Sequence, residues 1–413
     1  MKQRYWKQIG AMGLLSLAVA CSPIDWQEPS EPTGDLDPVC FATGADALST
    51  KTGSVGATPH PYLPQNARFV CRMYYQGTSG VDAGHTHYET SWLVVNNTKG
   101  NSVYRQASFA TPTDLDKYNF DKEATIFNWR NRKEHIFLAI TDLNKATNTG
   151  YVGGTDAGTL KMDDAHPDAT LEEDGVTYKA NSYILDTEKY TDQKQQPDII
   201  QAYAKEVPKA SDPETNRVSL YFKHCFSCVH VNVKKSADGS VEDLQKVSIK
   251  KVELLGVSEE AYVFYEVNDG GNYHAPYAVP VDLRKYKPEE LEQNPYGTAM
   301  PLYETTKYLT DKFLKAYHAI AFGRLSAIRV TWVEMPDGES TPAEQQVQHV
   351  VTRKVDTEGR VLQSATRYHF NLELRRGELT IMVPEIQPWE IDETNYKLDG
   401  KLDKTSEKGD NEA

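Results

Sequence analysis

Residues 366–383 alternate apolar and polar positions with a period of two. Tyr368, Phe370, Leu372 and Leu374 fall on one side of an extended strand, and His369, Asn371, Glu373 and Arg375 on the other. Gly377 permits a tight reversal, Leu379, Ile381 and Val383 resume the alternation, and Pro384 ends it, which predicts a β-hairpin. Short runs of the same kind, alternating or apolar throughout, recur along most of the chain. One group covers 69–75, 91–95, 124–129, 135–141 and 178–185. A second covers 218–233, 247–255, 262–267, 327–335, 349–355, 366–374 and 379–383. Runs this short, separated by turn residues, predict antiparallel sheet.

Two stretches carry helical spacing instead. Leu309, Phe313, Tyr317 and Ile320 recur every three to four residues, with Gly323 as the C-terminal stop. Asp198 caps a shorter helical turn carrying Ile199, Ile200 and Tyr203 before Pro208. Both are expected as accessories to sheets.

The spacing of these groups predicts an order of segments. Residues 22–64, rich in Pro, Gly, Ser, Thr and Asp, read as a tether with a loosely structured lead-in, and order is expected to begin near Arg68. The polar stretch 189–216 suits a domain boundary, giving β domains at 65–215 and 216–391 and an acidic tail at 392–413. The first residues form a separate unit. Lys2, Arg4 and Lys7 precede an apolar run from Ile9 to Ala20, too short for the ~20 residues of a transmembrane helix. Small residues then lead directly into Cys21. Residues 1–20 therefore read as a lipoprotein export signal, cleaved before Cys21, with lipid on that cysteine holding a soluble body at a membrane. An ordinary secretory cleavage site is the alternative.

Composition narrows the partners. A formal charge of -14 over 413 residues leaves no basic stripe to neutralise phosphate, so nucleic acid and anionic lipid surfaces are excluded as ligands. Tyr outnumbers Phe, 24 to 12, which suits sheets with one wet face and also suits contact with sugar or protein.

Candidate chemistry is sparse. His224-Cys225-Phe226-Ser227-Cys228-Val229-His230 has the residue types of a zinc site, but on one extended strand Cys225 and Cys228 point to opposite faces roughly 10 Å apart. The same distance rules out a local disulfide, so the thiols are read as buried filling beside Val229, Val231 and Val233. Whether Cys40 pairs with Cys71 is open. His85-Thr86-His87 reads as a solvent-facing loop, and Gly150, Gly153 and Gly154 as a turn. No nucleophile elbow, metalloprotease helix or spaced carboxylate pair is present, so no metal site, cofactor or catalytic residue is assigned and the chain is not read as an enzyme.

Several segments together resemble the fimbrillin family of Bacteroidales, including its Mfa-like branch of lipoprotein-derived type V pilins. Phe127-Asn128-Trp129 followed by His135-Ile136-Phe137-Leu138-Ala139-Ile140 is similar to the first domain's tryptophan and aromatic strand. Phe222-Lys223-His224-Cys225-Phe226-Ser227-Cys228-Val229 resembles the family's Phe-x-His-x-x-Ser-x-Val signature. Val247-Ser248-Ile249 and Val252-Glu253-Leu254-Leu255-Gly256-Val257 resemble the strand pair that follows it. Tyr368-His369-Phe370-Asn371-Leu372, Leu379-Thr380-Ile381 and Ile386-Gln387-Pro388-Trp389 resemble the closing hairpin and tryptophan. Asp25 and Glu28, close behind Cys21, resemble the acidic signal that sends Bacteroidetes lipoproteins to the cell surface.

The resemblance implies a mainly β fold of two β-sandwich-like, transthyretin-like domains with a few accessory helices and no active site. It implies a lipid-anchored outer-membrane protein of the fimbrium that adheres and assembles with other pilus subunits by strand exchange. In such assembly an Arg- or Lys-directed protease removes the first strand, and the groove accepts an extended strand from the next subunit. Lys51 and Arg68 are the candidate processing positions. The candidate donor is 395–403, where Tyr396, Leu398, Gly400 and Leu402 alternate with Lys397, Asp399, Lys401 and Asp403, although a disordered acidic tail fits the same residues. A non-polymerising surface lipoprotein that binds glycan or a host protein is the alternative function, and an exported hydrolase a third.

Overall fold

The computed structural model describes residues 38–43, 63, 66–78, 80, 83–96, 105–110, 126–142, 170–184, 198–208, 217–234, 247–264, 267, 278–280, 299–305, 313–355, 359–375, 378–381 and 384–388. Cys21, Lys51, Tyr396, Leu398, Gly400, Leu402 and the glycines at 150, 153 and 154 lie outside them.

The fold is mainly β, and no α-helix occurs among the described residues. In chain order the strands are β1 (Cys40–Thr43), β2 (Arg68–Gln76), β3 (Thr86–Val95), β4 (Arg105–Phe109), β5 (His135–Asp142), β6 (Thr170–Glu173), β7 (Val176–Ile184), β8 (Ile199–Glu206), β9 (Arg217–Leu220), β10 (Lys223–His224) and β11 (Ser227–Lys234). There follow β12 (Val247–Val257), β13 (Glu260–Phe264), β14 (Ala278–Pro280), β15 (Ala299–Pro301), β16 (Tyr303–Thr305), β17 (Phe313–Ala321), β18 (Gly323–Glu334), β19 (Val347–Lys354), β20 (Arg360–Leu362), β21 (Thr366–Arg375), β22 (Glu378–Ile381) and β23 (Glu385–Pro388).

The first eight-stranded sheet runs β10-β8-β5-β2-β3-β4-β1-β9. Both faces of its centre are covered. Phe69, Cys71 and Met73 of β2 and Phe137 of β5 enter one hydrophobic cluster, while Val70, Tyr74 and Leu138, on the opposite face, enter the other. A strand buried on both faces needs no polar alternation, and β2 is accordingly buried from Arg68 to Tyr74.

Beyond this sheet, β16-β17-β11-β21-β22 (with β23 beside β21) and β15-β12-β18-β19 (with β20 beside β18) form two further sheets. Val229 and Val231 of β11, Phe370 of β21, Leu254 of β12 and Val330 of β18 belong to one cluster shared between them. A four-stranded sheet, β14-β13-β7-β6, joins β7 from the first half of the chain to β13 from the second. Its β6–β7 hairpin turns at Asp174-Gly175, both with positive φ (51° and 77°), the geometry that two-residue hairpin loops require.

Several sequence expectations are corrected. Both predicted helices are strands: residues 313–321 form β17 and residues 199–206 form β8. Ile199, Ile200, Gln201 and Ala202, and the run Ala316 to Ala321, are buried on both faces, and continuous burial produces apolar spacing that mimics a helix. Gly323 begins β18 with φ 91°, and a Cβ there would lie 2.9 Å from the Ser258 nitrogen, so it serves a close crossing of strands, not a helix stop. Order begins before Arg68, at β1. The run 124–129 is not a strand where described, although Phe127 and Trp129 are buried. Thr86 and His87 start β3 instead of lying in a loop, with His87 stacked on Tyr75 at 5.5 Å. The run 218–233 is three strands in two sheets: β9 and β10 complete the first sheet, and the chain bends at Cys225–Phe226 before β11 enters the next.

Candidate functional site

Val39-Cys40-Phe41-Ala42-Thr43 is the β-forming stretch among the described residues of a Pro- and Gly-rich lead-in, and it is fixed at its start by backbone contacts. Pro38 bridges Asn128, and the Val39 N–H donates to the Phe127 carbonyl at 2.8 Å. β1 then lies between β4, antiparallel with Phe41 opposite Ala107, and β9, parallel with Phe41 opposite Val218. Its pairing covers three residue pairs on the β4 side and four on the β9 side.

Phe41 anchors the strand. Its ring meets Phe109, Phe127 and Phe137 edge-on, with centroids 5.9, 6.2 and 5.6 Å away. Trp129 continues the aromatic floor against Phe137 at 5.6 Å. Val39, Phe41, Ala42 and Thr43 are all at most 2% exposed. Burying a Phe side chain contributes about 1.5–3 kcal/mol, and the ladder bonds to β4 and β9 add to it. Taking β1 away exposes two facing strand edges above a floor of phenylalanines. Such a cleft offers main-chain donors and acceptors for affinity and side-chain pockets for register.

Of the two candidate processing residues, only Arg68 is among the described residues. Arg68 is 2% exposed at the start of β2, and its carbonyl accepts the Thr141 hydroxyl at 2.8 Å. Lys51 belongs to the connection between β1 and β2. The candidate lipidation residue Cys21 and the candidate donor residues Tyr396, Leu398, Gly400 and Leu402 are not among the described residues.

The His and Cys cluster takes a different form from the one the sequence offered. His224 pairs with Asp198, Nδ1 to Oδ1 2.7 Å, both buried. Cys225 sits in the bend, its N–H donating to the Ile199 carbonyl at 2.8 Å, and burial with the nearby Asp198 charge pushes its thiol well above the usual range. No disulfide joins any of the four described cysteines, so Cys40 and Cys71 do not pair. Cys228 and His230 instead meet His318 of β17, a residue 88 positions from His230 that no local motif could have supplied.

These side chains belong to a row across the sheet. By register Tyr303, His318, His230, His369 and Glu385 stand opposite one another on five neighbouring strands. The rings follow at centroid distances of 5.0, 4.7 and 4.9 Å. Burial drives the His318 imidazole down to about 3, assisted by the charges of Arg367, His369 and His224, so it is neutral at neutral pH. Burial likewise lowers His369, with Arg367 adding to the effect.

A family model described as fimbrillin-like matches residues 92–389. Solved structures similar to the chain include a candidate cell adhesion protein from Bacteroides ovatus (12% identity, 87% of this chain and 100% of that chain covered, TM-score 0.47). A candidate cell adhesion protein from Bacteroides uniformis is similar at 12% identity, covering 85% of this chain and 98% of that chain with TM-score 0.44. The tip fimbrial protein Mfa3 from Porphyromonas gingivalis, with a C-terminal truncation, is similar at 8% identity, covering 86% and 100% with TM-score 0.36. No curated protein matches the sequence.

Proposed function

The chain belongs to the fimbrillin-like family, and on that footing we propose that it is a pilus subunit, exported with lipid on Cys21, that assembles at the cell surface by donor-strand exchange and serves adhesion. The observation that carries this reading is the placement of β1. A four-residue strand fills a cleft between β4 and β9, and the connection to β2 contains Lys51. Cleavage after Lys51 leaves β1 held by hydrogen bonds and the Phe41 contacts alone, so an incoming extended segment can replace it strand for strand. Lys51 suits the cut better than Arg68. A protease must draw its target into an extended, accessible form, and cutting at Arg68 requires β2 to leave the middle of the sheet.

The incoming segment is 395–403 of a neighbouring copy, with Tyr396, Leu398, Gly400 and Leu402 directed into the cleft and Lys397, Asp399 and Lys401 into water. Two β domains, 65–215 and 216–391, are part of the same proposal, the first borrowing β9 and β10 from the start of the second. A peptide spanning 392–413 tests the scheme directly. It is expected to bind the chain cut after Lys51 and not the uncut chain. Binding to neither sinks the proposed donor.

A further inference from the structure

We propose that Cys228, His230 and His318 form a three-coordinate site for one soft, monovalent cation, Cu+, pinning β11 to β17. The placement follows from the register. His230 and His318 are opposite one another on paired strands, and Cys228, two residues before His230, projects from the same face. The Cys228 Sγ lies 3.3 Å from His318 Nδ1, which lies 3.1 Å from His230 Nε2, and the three donor atoms all fall within 4.8 Å of one another. An ion about 2.0 Å from nitrogen and ~2.3 Å from sulfur holds its donors roughly 3.3–3.8 Å apart, so the two shorter separations need to widen by a few tenths of an ångström and the third, within 4.8 Å, to close by at most about 1 Å.

Hydrogen bonding uses this arrangement poorly. His318 Nδ1 carries either one proton or one lone pair, yet it faces both the sulfur and the second imidazole. A cation at the centre engages all three donors at once. An imidazole coordinates through the lone pair of one ring nitrogen, and the nitrogens that face the centre are Nδ1 of His318 and Nε2 of His230. Cys228 must lose its proton, which passes to solvent as the S–Cu bond forms.

Charge selects the ion. Thiolate and imidazole suit both Cu+ and Zn2+. With one thiolate, Cu+ makes a neutral buried unit, whereas Zn2+ leaves a net positive charge beside Arg367 at a site where Cys228 and His230 are fully buried and His318 is 8% exposed.

The purified full chain, stripped of metal, would be titrated anaerobically with Cu+ against a chromogenic cuprous chelator, and in parallel with Zn2+. The expected result is one equivalent of Cu+, a thiolate-to-copper absorption band in the ultraviolet, and an X-ray absorption spectrum with one sulfur and two nitrogen donors. C228S should weaken binding by more than the ~10–100-fold that loss of an outer partner costs, while C225S, an equally buried thiol, leaves it unchanged. Melting of the metal-free variants checks their folding, and the donor count on the wild-type chain decides the matter if C228S does not fold. Absence of stoichiometric binding, preference for Zn2+, or equal loss in C225S and C228S overturns the proposal.

Discussion

β1 and β11 are both interior strands with buried faces, one in each of the two larger sheets, yet they are held in different ways. β1 is four residues long and pairs over three and four positions with its neighbours. β11 is eight residues long and pairs over eight positions with β17 and seven with β21. β1 relies on a single aromatic anchor, Phe41. β11 places Val229, Val231 and Val233 in a core shared by two sheets and carries the His row on its other side. A strand that is to be exchanged must be short and weakly registered. A strand that organises a domain must be neither.

The largest expected effect falls on assembly. K51Q should abolish SDS-resistant ladders in cell-surface preparations while leaving the uncut monomer folded, and R68Q should not reproduce this. Ladders persisting in K51Q would separate strand exchange from cutting at this position. Deleting 392–413 should also abolish ladders without moving the melting temperature of the monomer, because the tail is proposed to act in a neighbour's cleft. Ladders that survive this deletion place the donor elsewhere.

Within the monomer, F41A should cost about 3–5 kcal/mol before processing, as expected for emptying a packed phenylalanine site, and nothing in polymerised subunits that have shed β1. F370A should cost a similar ~3–5 kcal/mol in both forms, since Phe370 serves the second core. Denaturant melts of uncut and polymerised protein distinguish the two.

The smallest effect is on pH dependence and should be indifferent to processing. Glu253 is buried on β12, which alone would raise its pKa, but hydrogen bonds from Arg329 at 2.7 Å and Lys251 at 2.5 Å outweigh this and hold it below the usual carboxylate range. A depressed carboxylate contributes stability that is present above its unfolded pKa and lost as the pH falls through the folded one. Acid titration of stability should therefore flatten in E253Q below about pH 4.3, equally before and after loss of β1.

Legibility in the sequence followed exposure. The 366–381 hairpin was readable because period two survives where one face is wetter than the other, and β21 pairs with β22 as expected. β8 and β17 were misread as helices because both faces are buried and the alternation disappears. β1 was invisible as order: four residues among prolines and glycines show no period, and their burial depends on Phe109, Phe127 and Phe137 arriving from elsewhere in the chain. The Cys and His cluster reads from the sequence as buried filling with no metal site, because His318 is brought to Cys228 and His230 by β17 and no sequence spacing encodes a partner 88 residues away.

On the proposed scheme β1 is the strand given up on assembly. Mass spectrometry of individual subunits excised from SDS-resistant surface ladders tests it most directly. Subunits that begin at Thr52 and lack residues 38–43 are expected. Ladders in which every subunit retains that strand would contradict the scheme.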